Sequence, residues 1–210
     1  TGFIGSNISG LLVNKNYNVK IFDNNSRGST QKIKNFKKKV KFIKGDIRNK
    51  QSLNKALKKT DAVIHLAYVN GTKYFYSKPV LVLDIAIKGI INVIEGCIKN
   101  KIKELYLASS SEVYQTPIKI PTDEKECLKI PDIFNPRYSY GGGKIITELM
   151  GIHYGRKFFK KLIIFRPHNV YGKNMGYEHV IPQFINRFKS LKGKNFKIQG
   201  TGNETRSFIY

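Results

Sequence analysis

The sequence contains no tryptophan, two cysteines, two methionines and few acids: 14 Asp and Glu stand against 38 Lys and Arg in 210 residues. Two cysteines, Cys97 and Cys127, cannot form a disulfide framework, and nothing else points to an oxidising compartment. Cys97 lies on an apolar helical face and reads as a buried core thiol. No apolar run approaches the roughly 20 residues that span a bilayer, and no secretory segment is visible. A cytoplasmic location without membrane attachment is expected. No metal is called for.

The shortage of acids leaves a formal net charge of +24. A field of that size attracts polyanions. Here, however, the excess is scattered lysine, with no aromatic–basic platform behind it. Lys37–Lys38–Lys39 sits in a connector and reads as a solvated face. Nucleic-acid binding is therefore not implied. With 40% hydrophobic residues, a sizeable core can be built.

Short β-branched runs alternate with longer amphipathic stretches. Strands are predicted over Tyr17–Asp23, Val40–Lys44, Ala62–Leu66, Glu104–Ala108 and Leu162–Phe165. Helices are predicted from about Gly2 to Lys15 and over Asn49–Lys59, Pro79–Asn100 and Tyr138–Phe158. This alternation predicts an α/β protein with βαβ units and a parallel sheet. Polar residues follow the strands at Asp23, Asp46, Ser110 and Asn169, where such sheets place ligands.

Thr1-Gly2-Phe3-Ile4-Gly5 opens the first helix. Its two glycines fit the end of a G-x-x-G-x-x-G loop. Glycine allows close backbone approach to a pyrophosphate, and a helix start supplies free N–H donors. About 20 residues further on, Asp23 ends a strand, where a carboxylate can accept from both ribose hydroxyls and repel a 2′-phosphate. NAD is favoured over NADP, with the nearby Arg27 as the contrary sign. Asp46-Ile47 is placed to frame an adenine, and Leu66-Ala67 to lie along the dinucleotide. Each of these also has a plainer reading as a turn, cap or loop residue.

Tyr140-Gly141-Gly142-Gly143-Lys144 puts a phenol and an ammonium one helical turn apart. The cation is expected to lower the phenol's pKa and make it a general base. Three consecutive helical glycines cost roughly 1 kcal/mol each against alanine, and close approach to cofactor or substrate is the expected reason. The strand Leu105–Ala108 leads into Ser109-Ser110-Ser111-Glu112-Val113-Tyr114. A serine hydroxyl there can contact the reacting oxygen; an ST-turn with Glu112 as a cap is the alternative.

Together these segments resemble the extended short-chain dehydrogenase/reductase family, in its NAD-dependent nucleotide-sugar epimerase/dehydratase branch. Further marks are His65-Leu66-Ala67, Arg166-Pro167-His168-Asn169-Val170-Tyr171-Gly172, and Gly200-Thr201-Gly202 followed by Arg206-Ser207-Phe208-Ile209-Tyr210. The resemblance implies Tyr140 as base, Lys144 on the nicotinamide ribose, and Ser110 as hydroxyl partner. It adds Gly2, Phe3, Ile4, Gly5, Asp23, Asn24, Asp46, Ile47, Leu66, Ala67 and His168 for the cofactor. Ser110, Ser111, Asn169, Val180 and Arg206 are implied for the sugar nucleotide. Glu112 resembles the acid or base of dehydratases and decarboxylases, although Ser110-Ser111 departs from the Asp or Thr often found beside it. Ala86 stands where Asn is usual, Gln115 where Gly is common, and Ser207 where Asp is common.

The resemblance implies a Rossmann-like doubly wound parallel sheet over residues 1–165, and the beginning of a small substrate-binding region over 166–210. The family's first strand is not in this sequence. It is expected between Tyr17–Asp23 and Ala62–Leu66, and without it the piece is expected to be unstable and inactive by itself. The implied reaction is transient oxidation at sugar C4, with a homodimer as the complete assembly. A simple NAD(P)-dependent reductase or dehydrogenase is the enzymatic alternative. A nucleotide-sensing or nucleic-acid-binding Rossmann module is the non-enzymatic one.

Overall fold

The structure is a computed structural model that describes residues 1–177, 179–191, 193, 195–198 and 200–210. It divides into two compact units, Thr1–Arg166 and Pro167–Tyr210.

In the first unit, α1 (Phe3–Asn14) leads to β1 (Val19–Asp23), which pairs in parallel with β2 (Val40–Lys44) from Val19↔Val40 to Asp23↔Lys44. Next come α2 (Lys50–Leu57), capped by the Asn49 side chain accepting from the Ser52 amide at 3.0 Å, and β3 (Ala62–His65). The helices α3 (Thr72–Ser77), α4 (Pro79–Asp84) and α5 (Ile90–Lys99) follow, then β4 (Glu104–Ala108), α6 (Ser139–Leu149) and β5 (Lys161–Phe165). β4 runs parallel between β3 and β5, with Ala62↔Glu104 and Glu104↔Lys161 in register.

All five strands are parallel, but they form two sheets, β1-β2 and β3-β4-β5. The break falls between β1 and β3, where the sequence reading leaves room for one more strand. β4 is buried as a central parallel strand must be: Leu105 and Leu107 are fully enclosed. They meet Ile90, Val93, Ile94 and Cys97 of α5 in one core. Cys97 is the buried thiol expected, and burial pushes its pKa up to about 12.

Two long predicted helices are not continuous. Pro79–Asn100 is interrupted by a π-turn over Ile85–Gly89, and α6 continues as a π-turn over Met150–Gly155 before a 3-10 turn. Periodicity over a long window does not distinguish a π-turn from α-helix, because both keep apolar residues on the core side. The helix α3 was not anticipated: its aromatic run Tyr74-Phe75-Tyr76 has no helical apolar stripe, and it starts after Gly71 at φ 125°.

In the second unit, β6 (Asn169–Val170) pairs in parallel with β7 (Phe208–Ile209), and α7 spans Val180–Lys189. Tyr171 packs edge-on against Phe208 and Tyr210. Among the described residues, no helix is long and apolar enough to cross a membrane.

Candidate active site

The strand ends of the first unit carry its polar chemistry. Gly2 precedes α1 in extended conformation, and no side chain caps the helix start. A Cβ added at Gly2 would meet nothing within 4 Å, and one at Gly5 would touch only Leu66 Cδ1, at 3.7 Å. The first-turn amides therefore open onto unfilled space, with Leu66 alongside. Asp23 stands beside this helix start: its carboxylate lies 2.8 Å from the Thr1 backbone nitrogen and accepts from the Asn25 amide at 2.7 Å. An acidic strand end next to open helix amides fits a dinucleotide's ribose and pyrophosphate. Arg27 is turned to an aromatic neighbour, its guanidinium lying 4.5 Å from the Tyr74 ring centre.

Asp46 and Asn24 are engaged with the protein itself. Asn24 donates to Asp46 Oδ2 at 3.0 Å, and Arg48 grips both Asp46 oxygens at 2.8 and 3.0 Å while reaching Asp84 at 2.8 Å. Hydrogen bonds from Arg48 hold the Asp46 carboxyl down at about 2. Ile47 belongs to the core cluster, and Ala67 is exposed.

The segment after β4 and the helix α6 hold the second cluster. Ser110 caps the short turn Ser111–Val113, its Oγ accepting from the Glu112 amide at 3.2 Å. The ST-turn alternative is thus realised, and the same buried hydroxyl acts to lower the Tyr140 phenol's pKa. Glu112 is half-exposed and pairs with Arg137 at 3.5 Å, a partner the sequence spacing did not reveal. Tyr140 and Lys144 are both buried on α6. Lys144 Nζ donates to the Ala108 carbonyl at 2.7 Å.

The expected lowering of the phenol's pKa is not what the structure shows. Tyr140 is stacked on Phe75 at 5.0 Å and meets Tyr68 edge-on at 5.2 Å. This burial pushes its phenol up to about 12, against the favourable Ser110 hydrogen bond, and the Glu112 charge adds to the rise. Burial also pushes the Lys144 ammonium down to about 7, with Glu148 opposing. Desolvation is the leading cause for both partners.

The reason for the glycine triplet also needs correcting, because this chain's own side chains occupy the space. A Cβ at Gly143 would overlap the Tyr68 hydroxyl and lie 2.8 Å from Ala86 Cβ. At Gly142 it would press on Ile130, 3.1 Å away, and at Gly141 on Gln115 Nε2 at 2.9 Å. Gln115 itself sits at φ 53°, the left-handed region that favours the glycine common at this position in the resembled family.

Behind the cluster, Glu148 is buried and binds the Arg166 guanidinium through both oxygens at 2.9 and 2.6 Å. It also accepts from Ser109 Oγ. In the second unit, Asn169 Nδ2 donates to the Ser207 carbonyl at 3.0 Å, Arg206 is exposed just before β7, Val180 opens α7, and His168 is exposed.

A parallel Rossmann-like fold with an open glycine helix start and a Ser–Tyr–Lys cluster after β4 defines an extended short-chain dehydrogenase/reductase. More narrowly, the chain belongs to the NAD dependent epimerase/dehydratase family, whose sequence model matches residues 1–210. It is 36% identical over 214 residues to a Methanocaldococcus jannaschii protein named "Putative UDP-glucose 4-epimerase", with 100% of this chain and 67% of that protein covered. It is 30% identical over 214 residues to the UDP-N-acetyl-alpha-D-glucosaminuronate decarboxylase of Bacillus cytotoxicus, covering 100% of this chain and 64% of the relative. A solved structure of the UDP-N-acetylglucosamine 4-epimerase from Methanobrevibacter ruminantium M1, in complex with UDP-N-acetylmuramic acid, superposes with a TM-score of 0.85 at 30% identity, covering 100% of this chain and 66% of that one. The chain thus spans about two thirds of the length of these relatives.

Proposed function

We propose that this chain carries the cofactor and catalytic half of an NAD-dependent nucleotide-sugar epimerase/dehydratase. The observation that carries the reading is the joint burial of Tyr140 and Lys144 on α6, with Lys144 bonded to the last residue of β4 and buried Ser110 following that strand. Isolated surface Y-x-x-x-K pairs have no reason to be desolvated together.

NAD, when bound, supplies a hydride acceptor that later returns the hydride, together with a positive ring that favours phenolate. Gly2, Phe3, Ile4 and Gly5 are suited to its pyrophosphate, Asp23 to the adenosine ribose, and Lys144 to the nicotinamide ribose. Asn24, Asp46, Ile47, Leu66, Ala67 and His168 are assigned to the rest of the same molecule. Tyr140 accepts the proton of the sugar C4 hydroxyl, directly or through Ser110. A 4-keto sugar results, whose neighbouring C–H is acidic. Ser111, Asn169, Val180 and Arg206 are assigned to the sugar nucleotide, with Arg206 matching its diphosphate charge. Residues 166–210 are assigned to the beginning of the substrate-binding region.

Glu112 supports dehydration or decarboxylation over plain epimerisation, since Arg137 holds a carboxylate on the Tyr140 side of the turn. A homodimer is supported by the apolar stripe Val80, Leu83 and Ile87, exposed along α4 and its π-turn. A cytoplasmic location is supported by two unpaired cysteines.

The test is the complete gene product assayed against a panel of sugar nucleotides, with products identified by NMR. Conversion without net NADH release is expected, together with loss of at least about a hundredfold in Tyr140→Phe. Stoichiometric NADH release would favour the simple reductase instead. Full activity in Tyr140→Phe would overturn the catalytic assignment.

A further inference from the structure

Tyr68, in the loop between β3 and α3, occupies a position that none of the strand-end reasoning explains. Its ring centre lies 3.9 Å from Lys144 Nζ, nearer than the 5.7 Å separating that ammonium from the Tyr140 ring. The same ring meets Tyr140 edge-on, with centres 5.2 Å apart and planes at 85°. Its hydroxyl is buried without a hydrogen-bond partner among the described residues. The hydroxyl end rests over Gly143 and beside Ala86, where even one methyl on residue 143 would overlap it. The small residues at 86 and 143 therefore make a slot, and Tyr68 fills it.

We propose that Tyr68 is a positioning residue of the catalytic pair: its π face seats the Lys144 ammonium, its edge confines the Tyr140 ring, and Gly143 and Ala86 exist as small residues to admit it. This rests on the Tyr140–Lys144 assignment above. A desolvated ammonium gains from an aromatic face that asks for no hydrogen bond in return. The Ala108 carbonyl takes one Lys144 N–H and the Tyr68 face meets the ammonium from another direction, so the side chain is held in place within the site. The ring also supports the charged form. Burial, opposed by the Glu148 charge, leaves Lys144 down at about 7, so a modest attraction decides how much ammonium stands beside the phenol near neutral pH.

The other groups that act on Lys144 are His65 from β3, and Tyr140 and Glu148 from its own helix, while Ser110 and Glu112 from the turn after β4 act on Tyr140. Buried His65 is held neutral, its pKa down at about 3, and Glu148 is bound by Arg166. Tyr68 is thus the removable influence on the pair.

The experiment compares Tyr68→Phe, Tyr68→Leu, Gly143→Ala and Tyr140→Phe in the complete gene product, reading kcat, KM and the pH profile of kcat. Tyr68→Phe keeps the π face and should stay within about twofold of the parent. Tyr68→Leu should lose about tenfold in kcat with KM for the sugar nucleotide little changed, and the basic limb should move down by about one pH unit, the worth of a desolvated cation–π contact. Gly143→Ala evicts the ring without altering it and should show the same shift, which keeps the test available if Tyr68→Leu does not fold. A parental pH profile in Tyr68→Leu or in Gly143→Ala overturns the proposal, as does a Tyr68→Phe variant as impaired as Tyr68→Leu. If Tyr140→Phe is inactive while the other variants are silent, only the Tyr68 inference falls. If Tyr140→Phe retains full activity, the catalytic assignment falls first.

Discussion

Lys144 Nζ donates to the carbonyl oxygen of Ala108 at 2.7 Å, joining the middle of α6 to the last residue of β4. The bond fixes the lysine by a backbone group whose own position is set by the pairing of β4 with β5. The Lys144 ammonium is therefore indexed to the sheet.

Replacing Lys144 by methionine should remove activity and raise stability at neutral pH. Lys144 has a folded pKa of about 7, below its ordinary 10.5. Between these values the unfolded chain binds more protons than the folded one, so stability rises with pH across the window and is lost as pH falls towards 7. The parent should show that slope in urea unfolding between pH 7 and 10, and Lys144→Met should flatten it. An identical slope in both proteins would mean that the ammonium is solvated.

His65, fully enclosed at the end of β3, gives a separate acid dependence. Burial, aided by the Lys144 charge, holds its pKa down at about 3 against an ordinary 6.5. The unfolded chain binds the extra proton between those values, so stability falls as pH drops below about 6.5, by at most about 1.4 kcal/mol per pH unit. His65→Leu should reduce the loss between pH 6 and 4, read by urea midpoints. Asp46, held near 2 by Arg48, adds to the loss lower down in both proteins, and the variant's slope should converge with the parent's only below about pH 3.

The residues that sequence made legible are those whose chemistry is local. Asp23, Ser110, Tyr140 and Lys144 announce themselves by type and by position after a strand or along a helix. The strands β2 and β4 are found at their predicted bounds because apolar β-branched runs flanked by turns admit few other readings. What stayed hidden is set by packing across distant segments. Tyr68 and Phe75 carry no sequence signal of a site, yet they pack on the Tyr140 ring, whose burial reverses the expected direction of its pKa. Arg137 lies 25 residues from Glu112, and no spacing rule connects them. The glycine triplet was visible as an anomaly, but its cause, the Tyr68 hydroxyl and the Gln115 amide, is visible only in three dimensions.

Gly28 should be sensitive in cofactor binding although it carries no functional group. A Cβ there would overlap the Thr1 side chain and lie 2.8 Å from the Thr1 carbonyl carbon and 3.0 Å from the Gly2 amide nitrogen. Backbone cannot swing aside as a side-chain tip can, so Gly28→Ala must displace the helix start that Asp23 also touches. NAD affinity measured by calorimetry should fall about tenfold or more, equivalent to about 1.4 kcal/mol. Unchanged affinity would show that the pyrophosphate does not rest on these amides.

Arg166 and Glu148 make a largely enclosed ion pair: the guanidinium donates to both carboxylate oxygens, and the Glu148 side chain is 4% exposed. Arg166 also donates to Tyr114 Oη at 2.7 Å and the Glu124 carbonyl at 3.2 Å, binding the segment after Ser110 to the end of β5. A buried pair adds little net stability over an apolar pair, but removing one partner strands the other's charge. Arg166→Met should therefore cost about 3–5 kcal/mol, seen as a large fall in the urea midpoint. Arg166→Met combined with Glu148→Leu should recover a substantial part of it, because no buried charge is left. Equal midpoints for the single and double variants would show that the Tyr114 and Glu124 contacts, rather than the ion pair, make Arg166 indispensable.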